Sequence, residues 1–184
     1  MARTFSCNEE IIVVSKGTED IGKLAMLGND GKFDPSVIPD GEKNTAVCRV
    51  SRSVDQSIPN TVATKVVFDS VEFDSDNMYN TTNPTRITIP SDGVYQIVAQ
   101  IIYNSQGTGY RAASIMLNGS INLSGQSSVA NGTNTWGGNV GSINKLQTGD
   151  YVELQAFQIS GGALNVINDS AQGRPFLAIF KVSD

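Results

Sequence analysis

The residues best suited to bind a ligand lie in a polar loop at positions 124–141, SGQSSVANGTNTWGGNVG. The loop places Trp136, the one tryptophan of the chain, between the amide side chains of Asn134 and Asn139. Aromatic rings stack on the C–H faces of sugars, while amides and hydroxyls bond to sugar hydroxyl groups. These residues are therefore candidates for a glycan site. The competing interpretation is a tryptophan in the core or at an interface, with its N–H satisfied there.

A second polar group, Asp74, Asp76 and Asn77, offers the hard oxygen ligands that calcium prefers. The sequence lacks an EF-hand loop, in which calcium ligands alternate regularly. A solvated acidic loop is therefore the competing interpretation. Carboxylates spread across a loop have no fixed separation, whereas glycoside hydrolysis requires one. Calcium at these residues is the one metal or cofactor that the sequence leaves open.

The 184-residue chain contains no histidine, which excludes Ser-His-Asp and Cys-His nucleophiles and histidine-based zinc sites. A net charge of −5 argues against nucleic acid as the partner, because little positive charge is available to neutralise phosphates. We find neither a signal peptide nor an apolar run long enough for a membrane helix. We therefore expect a binding protein rather than an enzyme, made and folded in a cytoplasm with Cys7 and Cys48 as free thiols.

Short β-branched and aromatic runs between turn-forming clusters predict an all-β chain. Two segments, GVYQIVAQIIY at 93–103 and PFLAIFKV at 175–182, alternate so that one face suits a core and the other is still apolar. A strand that is apolar on both faces must be covered on both, which predicts packing against other copies of the chain. A loop of the same chain is the competing cover. The predicted interface residues are Val94, Val98, Ile102, Phe176, Ala178 and Phe180.

Turn signals separate further strands. Asn118-Gly119 between two alternating runs predicts a tight hairpin, because both residues tolerate positive φ. The apolar alternation of residues 65–74 slips at Asp69-Ser70, which predicts a bulge or turn there. Residues 151–159 alternate after a Thr-Gly-Asp turn and predict a strand of a sandwich or jelly roll.

Residues 1–44 differ from the rest and are too few to bury a core of their own, so they must dock on sister chains or on another protein. Proline-containing turns at 34–41 mark the boundary with a head of residues 45–184. The predicted anchor residues are Ile11, Ile12, Val13, Val14, Leu24 and Leu27.

Residues 65–103 resemble the central block of the complement C1q and tumour-necrosis-factor-like globular heads. The matching features are an F-D pair at Phe68-Asp69, an acidic Asn-rich loop at 74–83, a short strand at 86–89 and a turn with Pro90, Gly93 and Tyr95. Residues 115–118, 148–152 and 175–182 resemble the later strands of that family. The resemblance covers about residues 46–184 and rests on the order and spacing of these motifs.

The resemblance implies an antiparallel jelly-roll β-sandwich that assembles as a homotrimer around a threefold axis and binds proteins or glycans. The chain has no collagen-like stalk. Residues 20–41, DIGKLAMLGNDGKFDPSVIPDG, instead resemble a linker of bacteriophage tail-fibre and head-fibre proteins.

Together the two resemblances imply a fibre or spike on the virion surface. Residues 1–44 would attach it to capsid or tail proteins, and the head would bind a host-surface glycan or protein. The alternative is a capsid decoration protein that stabilises the phage head without binding a receptor. The short chain favours a head fibre or a decoration protein over a tail fibre with a long shaft. A carbohydrate-active enzyme is the third and least favoured interpretation.

Overall fold

The computed structural model describes residues 11–12, 24–25, 46–130, 134–169 and 171–184. The chain divides into two compact units, Met1–Lys43 and Asn44–Asp184. In the first unit, β1 (Ile11–Ile12) pairs in parallel with β2 (Leu24–Ala25). These strands contain three of the predicted anchor residues, and Val13, Val14 and Leu27 lie outside the described residues. The anchoring role of this segment stays a prediction.

The described part of the second unit is built from strands and connecting loops, with no helix. The strands are β3 (Val47–Ser51), β4 (Gln56–Ile58), β5 (Thr64–Lys65), β6 (Ser70–Asp74), β7 (Arg86–Thr88), β8 (Gly93–Tyr103), β9 (Tyr110–Leu117), β10 (Ile121–Val129), β11 (Trp136–Leu146), β12 (Tyr151–Ile159), β13 (Leu164–Val166) and β14 (Phe176–Ser183).

These strands form two sheets, and every pairing in them is antiparallel. In the seven-stranded sheet, β8 pairs with β11 along one edge and with β14 and β13 along the other, while β3, β6 and β4 lie beyond them. In the five-stranded sheet, β12 pairs with β9 on one side and with β5 and β7 on the other, and β10 pairs with β9. The all-β antiparallel prediction is confirmed.

Alternation along β8 builds the centre of the core between the two sheets. The inward side chains Tyr95, Ile97, Ala99, Ile101 and Tyr103 are all buried. Burying one such aliphatic side chain contributes roughly 1.5–3 kcal/mol. The two tyrosine hydroxyls are satisfied, because Tyr95 donates to a backbone carbonyl at 2.8 Å and Tyr103 to another at 3.0 Å. Core residues from the neighbouring strands are Ile115, Leu154, Ala156, Leu177 and Ile179.

The opposite side of the seven-stranded sheet, turned away from the five-stranded sheet, is called the open face below. The strand register places Val98 opposite Ala178 on β14 and opposite Gly141 on β11, so all three share this face. Val98 is 38% exposed and Phe180 is 42% exposed. The same register also assigns to the open face Val94, Gln96, Gln100, Asn139, Ile143, Lys145, Arg49, Phe73 and Phe176.

Five of the six predicted interface residues therefore lie on the open face with part of their surface exposed, and Ile102 does not. Its side chain is fully buried within a single chain. The end of β8 is paired on its second edge by β13, and the backbone N–H of Ile167 donates to the Ile102 carbonyl at 2.8 Å. Ile102 is thus a correction to the prediction, because a buried side chain offers no area to a second copy.

Residues 65–74 also differ from the prediction, which placed a bulge or turn at Asp69-Ser70 to restore the apolar alternation. β5 ends at Lys65 in the five-stranded sheet, and β6 begins at Ser70 in the seven-stranded sheet. The connecting residues Val66 and Phe68 are buried as the chain crosses from one sheet to the other. The irregular pairing lies between Arg49 and Val50 of β3, where β6 has one extra residue.

The hairpin between β9 and β10 turns at the predicted residues. Asn118 has φ of 51° and Gly119 has φ of 74°. A Cβ at Gly119 would also lie 3.1 Å from the Tyr151 hydroxyl. Glycine is therefore favoured here by the positive φ, and a Cβ would in addition require the Tyr151 side chain to shift slightly.

Replacing Gly119 by alanine should lower the free energy of unfolding by about 1–2 kcal/mol, because an L-residue is strained at this φ. Gly162→Ala is the matched control, since φ is not positive there and a Cβ would meet no atom within 4 Å. Urea unfolding followed by circular dichroism at a single protein concentration measures both variants. Equal losses for the two would contradict the assigned turn.

Candidate functional site

The described residues line a partly open cavity of about 260 Å³ where β9 begins, β10 ends and β11 begins. Its polar and aromatic lining residues are Gln106, Arg111, Ser128, Asn134, Thr135 and Trp136. Arg111 and Ser128 face each other in the antiparallel pair of β9 and β10, which fixes their relative position. The chain between β10 and β11 contributes Asn134 and Thr135.

Trp136 belongs both to the core and to the cavity wall. Its ring centroid lies 5.7 Å from that of Tyr103, and the two planes meet at 44°. Such a tilted aromatic pair is favourable beyond the area that it buries. A Cβ at Gly138 would lie 2.3 Å from the indole ring, so only glycine at that position leaves room for the tryptophan. Trp136 thus packs against the core and also lines the cavity, so the core interpretation and the ligand-binding interpretation are compatible.

The structure brings together two of the three predicted glycan-binding residues. Asn134 lines the cavity with Trp136. Asn139 lies opposite Gln100 in the pairing of β11 with β8, so its side chain faces the open face. Asn139 is therefore separated from the other two residues, because positions 136 and 139 lie on opposite faces of one strand.

Arg111 was missed as a candidate, although it is the charged residue of the cavity wall. Its side chain is fully buried, and its guanidinium donates to the backbone carbonyls of Gln106 at 2.8 Å and Thr108 at 2.9 Å. A third bond goes to the carbonyl of Tyr110 at 3.3 Å. Burial lowers the pKa of this guanidinium, and the nearby Tyr103 partly offsets the effect. The sequence contained a signal for this, because strand alternation places residues 111, 113 and 115 on one face, and Ala113 and Ile115 are typical inward residues.

The acidic loop is held by its own backbone. Asp74 accepts the backbone N–H of Met78 at 2.9 Å through one oxygen and that of Tyr79 at 3.0 Å through the other. Asp76 accepts the hydroxyl of Ser75, and Asn77 has a positive φ of 53°. Among the described residues, no three carboxylate or cysteine side chains converge as a metal site requires. The geometry supports the interpretation as a loop-closing acidic segment, and we do not propose calcium here.

A buried carboxylate on the five-stranded sheet also has partners within the chain, a lysine and a threonine. Glu153 lies 2.8 Å from the Lys65 ammonium and accepts the Thr85 hydroxyl at 2.9 Å. Arg86 stacks over the Tyr151 ring at 4.5 Å. Lys65 on β5, Arg86 on β7 and Glu153 on β12 lie on paired strands, and Thr85 immediately precedes β7, so the cluster is structural.

Cys48 is a free, buried thiol, and burial raises its pKa to about 12. It stays protonated near neutral pH and does not serve as a nucleophile.

Two solved structures share the fold of the second unit. The crystal structure of murine APRIL at pH 5.0 is 13% identical, covers 76% of this chain and 100% of its own, and has a TM-score of 0.58. The globular domain of zebrafish complement 1qA protein is 14% identical, covers 73% of this chain and 93% of its own, and has a TM-score of 0.50. These similarities show a C1q/TNF-like jelly-roll fold. No protein-family model and no curated protein matches the chain.

In the part of the chain that the structure describes, no helix is long and apolar enough to cross a membrane.

Replacing Asp74 by alanine should lower the free energy of unfolding by about 1.5–3 kcal/mol, because two backbone N–H groups lose a charged acceptor. Asp74→Asn keeps one acceptor oxygen and should lose less. Thermal unfolding with added calcium chloride or EDTA should give the same midpoint for the wild type. A calcium-dependent rise in the midpoint that Asp74→Asn abolishes would restore the calcium prediction.

Proposed function

We propose that the chain is a homotrimeric binding head on the surface of a bacteriophage virion, with the open faces of three chains packed around a threefold axis. The observation that carries the trimer is the exposed apolar surface of the open face. Phe73 is 49% exposed, Ile143 is 66% exposed, and Val98 and Phe180 lie between them in the sheet. Exposed apolar side chains clustered on one sheet face mark an interaction surface.

The polar residues of the open face suit a second copy of the same surface. Gln96 and Gln100 are neutral amides, which cost little to bury once they are hydrogen-bonded. Arg49 carries a charge that is already paired, with its Nε 2.5 Å from Glu72. The same guanidinium lies 3.8 Å above the Phe176 ring. A paired charge and neutral amides can enter an interface without an opposite charge from the partner, which favours self-association. Lys145, opposite Val94, also belongs to this face, and it lies on the edge strand β11, where a long side chain can keep its ammonium in water.

The virion assignment rests on a different feature, the linker-like pattern of residues 20–41 before the head. In the proposed arrangement, residues 1–44 attach the head to capsid or tail proteins. The head then binds a glycan or protein on the host surface. Three copies on one axis would strengthen weak individual contacts through avidity.

Val98→Lys should convert the trimer to monomers, because three ammonium groups would meet near the axis in a poorly hydrated interface. Ile121→Lys is the matched control, since Ile121 is 54% exposed on β10 of the other sheet. Sedimentation equilibrium at micromolar concentration should give a trimer for the wild type and the control. A folded wild-type monomer at that concentration would remove the assembly proposal.

Labelling of intact phage particles with antibodies to residues 45–184 tests the virion assignment. Labelling at the capsid or at the tail tip is the expected result, and unlabelled particles would contradict it. Purified head should then compete with phage adsorption to host cells. Labelled capsids without any competition at saturating head would favour the decoration protein over the receptor-binding head.

A further inference from the structure

The cavity beside Trp136 is lined by a buried cation, Arg111, for which the described residues provide no anionic partner. Arg111 forms no ion pair with any of the described residues, although the whole chain carries a net charge of −5. Its hydrogen bonds go to three uncharged backbone carbonyls. Buried charges are generally paired, because a desolvated charge is unfavourable without a counter-charge. The cavity wall therefore offers an unneutralised positive charge.

The guanidinium also has donors to spare. An arginine has five N–H groups, and three of those of Arg111 donate to carbonyls within the described residues. The carbonyl bonds hold the plane of the group in a fixed orientation. A planar, fixed guanidinium with remaining donors matches the geometry of a carboxylate.

The rest of the lining is neutral. Trp136 offers part of an aromatic ring, Asn134 and Gln106 offer amides, and Ser128 and Thr135 offer hydroxyls. None of the residues that line the described cavity is acidic. This set would suit a polyhydroxylated ring with an anionic group, since the ring stacks on indole and the hydroxyls meet amides. A volume of about 260 Å³ lies below the range typical of drug-sized pockets, so it suits a single sugar ring.

We propose that this cavity binds an acidic monosaccharide unit of the hexuronate class, with its carboxylate on Arg111 and its ring against Trp136. The inference deepens the proposed binding role of the head and rests on that role. It is independent of self-association, because the cavity residues Arg111, Ser128 and Trp136 are not among the residues of the open face.

The single tryptophan makes the test direct, because the intrinsic tryptophan emission of the chain comes from the cavity wall. The purified full chain is titrated with glucuronate or galacturonate, with the matched neutral sugars glucose and galactose, and with acetate. Isothermal titration calorimetry on the same solutions detects any binding that leaves the emission unchanged. We expect saturable binding of at least one hexuronate, at least tenfold tighter than that of its neutral sugar and of acetate.

Three results would overturn the proposal. If the neutral sugar binds as tightly as the hexuronate, Arg111 does not recognise the carboxylate. If acetate binds as tightly as the hexuronate, the site binds a carboxylate without recognising the sugar. Absence of binding for both hexuronates in emission and in calorimetry would remove the site altogether.

Variants locate the site. Arg111→Gln should abolish the preference for the charged sugar, but it also removes bonds that hold the chain at Gln106 and Thr108. Ala130→Leu is therefore the second variant, because Ala130 lines the cavity and a larger side chain fills it without changing Arg111. Ala163→Leu, at an exposed position, is its matched control. Hexuronate binding that survives in a folded Ala130→Leu chain would place the ligand elsewhere and contradict the proposal.

The same titration on Val98→Lys separates this inference from the trimer. Binding should persist in the monomer, whereas loss of binding with loss of the trimer would show that the site is formed between chains and not within this cavity.

Discussion

The two-sided packing of β8 is the constraint on which the rest of the structure depends. This strand pairs along both edges, so its backbone is satisfied within the seven-stranded sheet. Its inward side chains form the centre of the core, and its outward side chains share the open face with those of β11 and β14. Because side chains alternate strictly along a strand, a shift of one residue would exchange the two faces. The core and the open face are therefore fixed by the same register.

The core changes character toward the end of the sandwich where the cavity lies. Near the middle, aliphatic residues from both sheets meet, whereas at this end the inward positions are occupied by Tyr103, Arg111 and Gln158. Gln158 donates to the carbonyls of Ile58 at 3.0 Å and Gly162 at 2.8 Å, and Tyr103 donates to those of Ala112 and Phe157. These hydrogen bonds tie the inward polar side chains to backbone carbonyls around this end of the core. The polar end layer is thus hydrogen-bonded within the chain, and it includes Arg111 at the cavity wall.

Local alternation and turn chemistry predicted β8, β14, the Asn118-Gly119 hairpin and the antiparallel sandwich, because each depends on residues close in sequence. The division of residues 65–74 between two sheets depends on distant partners and could not be derived in this way. Ile102 was misassigned for a related reason, since β13 pairs with the end of β8 from far along the chain. The separation of Trp136 from Asn139, in contrast, follows from strand parity alone and could have been predicted. Arg111 was overlooked because an inward arginine contradicts the usual alternation of apolar and polar residues.

The two surfaces that carry the proposals, the open face and the cavity beside Trp136, lie on different parts of the sandwich. The open face offers a broad apolar area with paired or neutral polar groups, which suits close packing against an identical surface. The cavity is small and lies where β9 begins, β10 ends and β11 begins. A cavity that accommodates one sugar ring forms few contacts, so the affinity of one chain for one ligand is limited. Assembly through the open face would place three such cavities on one body, and a repetitive acidic glycan could then engage several of them at once. In the proposed assembly, weak ligand binding by each chain and self-association through the open face would therefore complement each other.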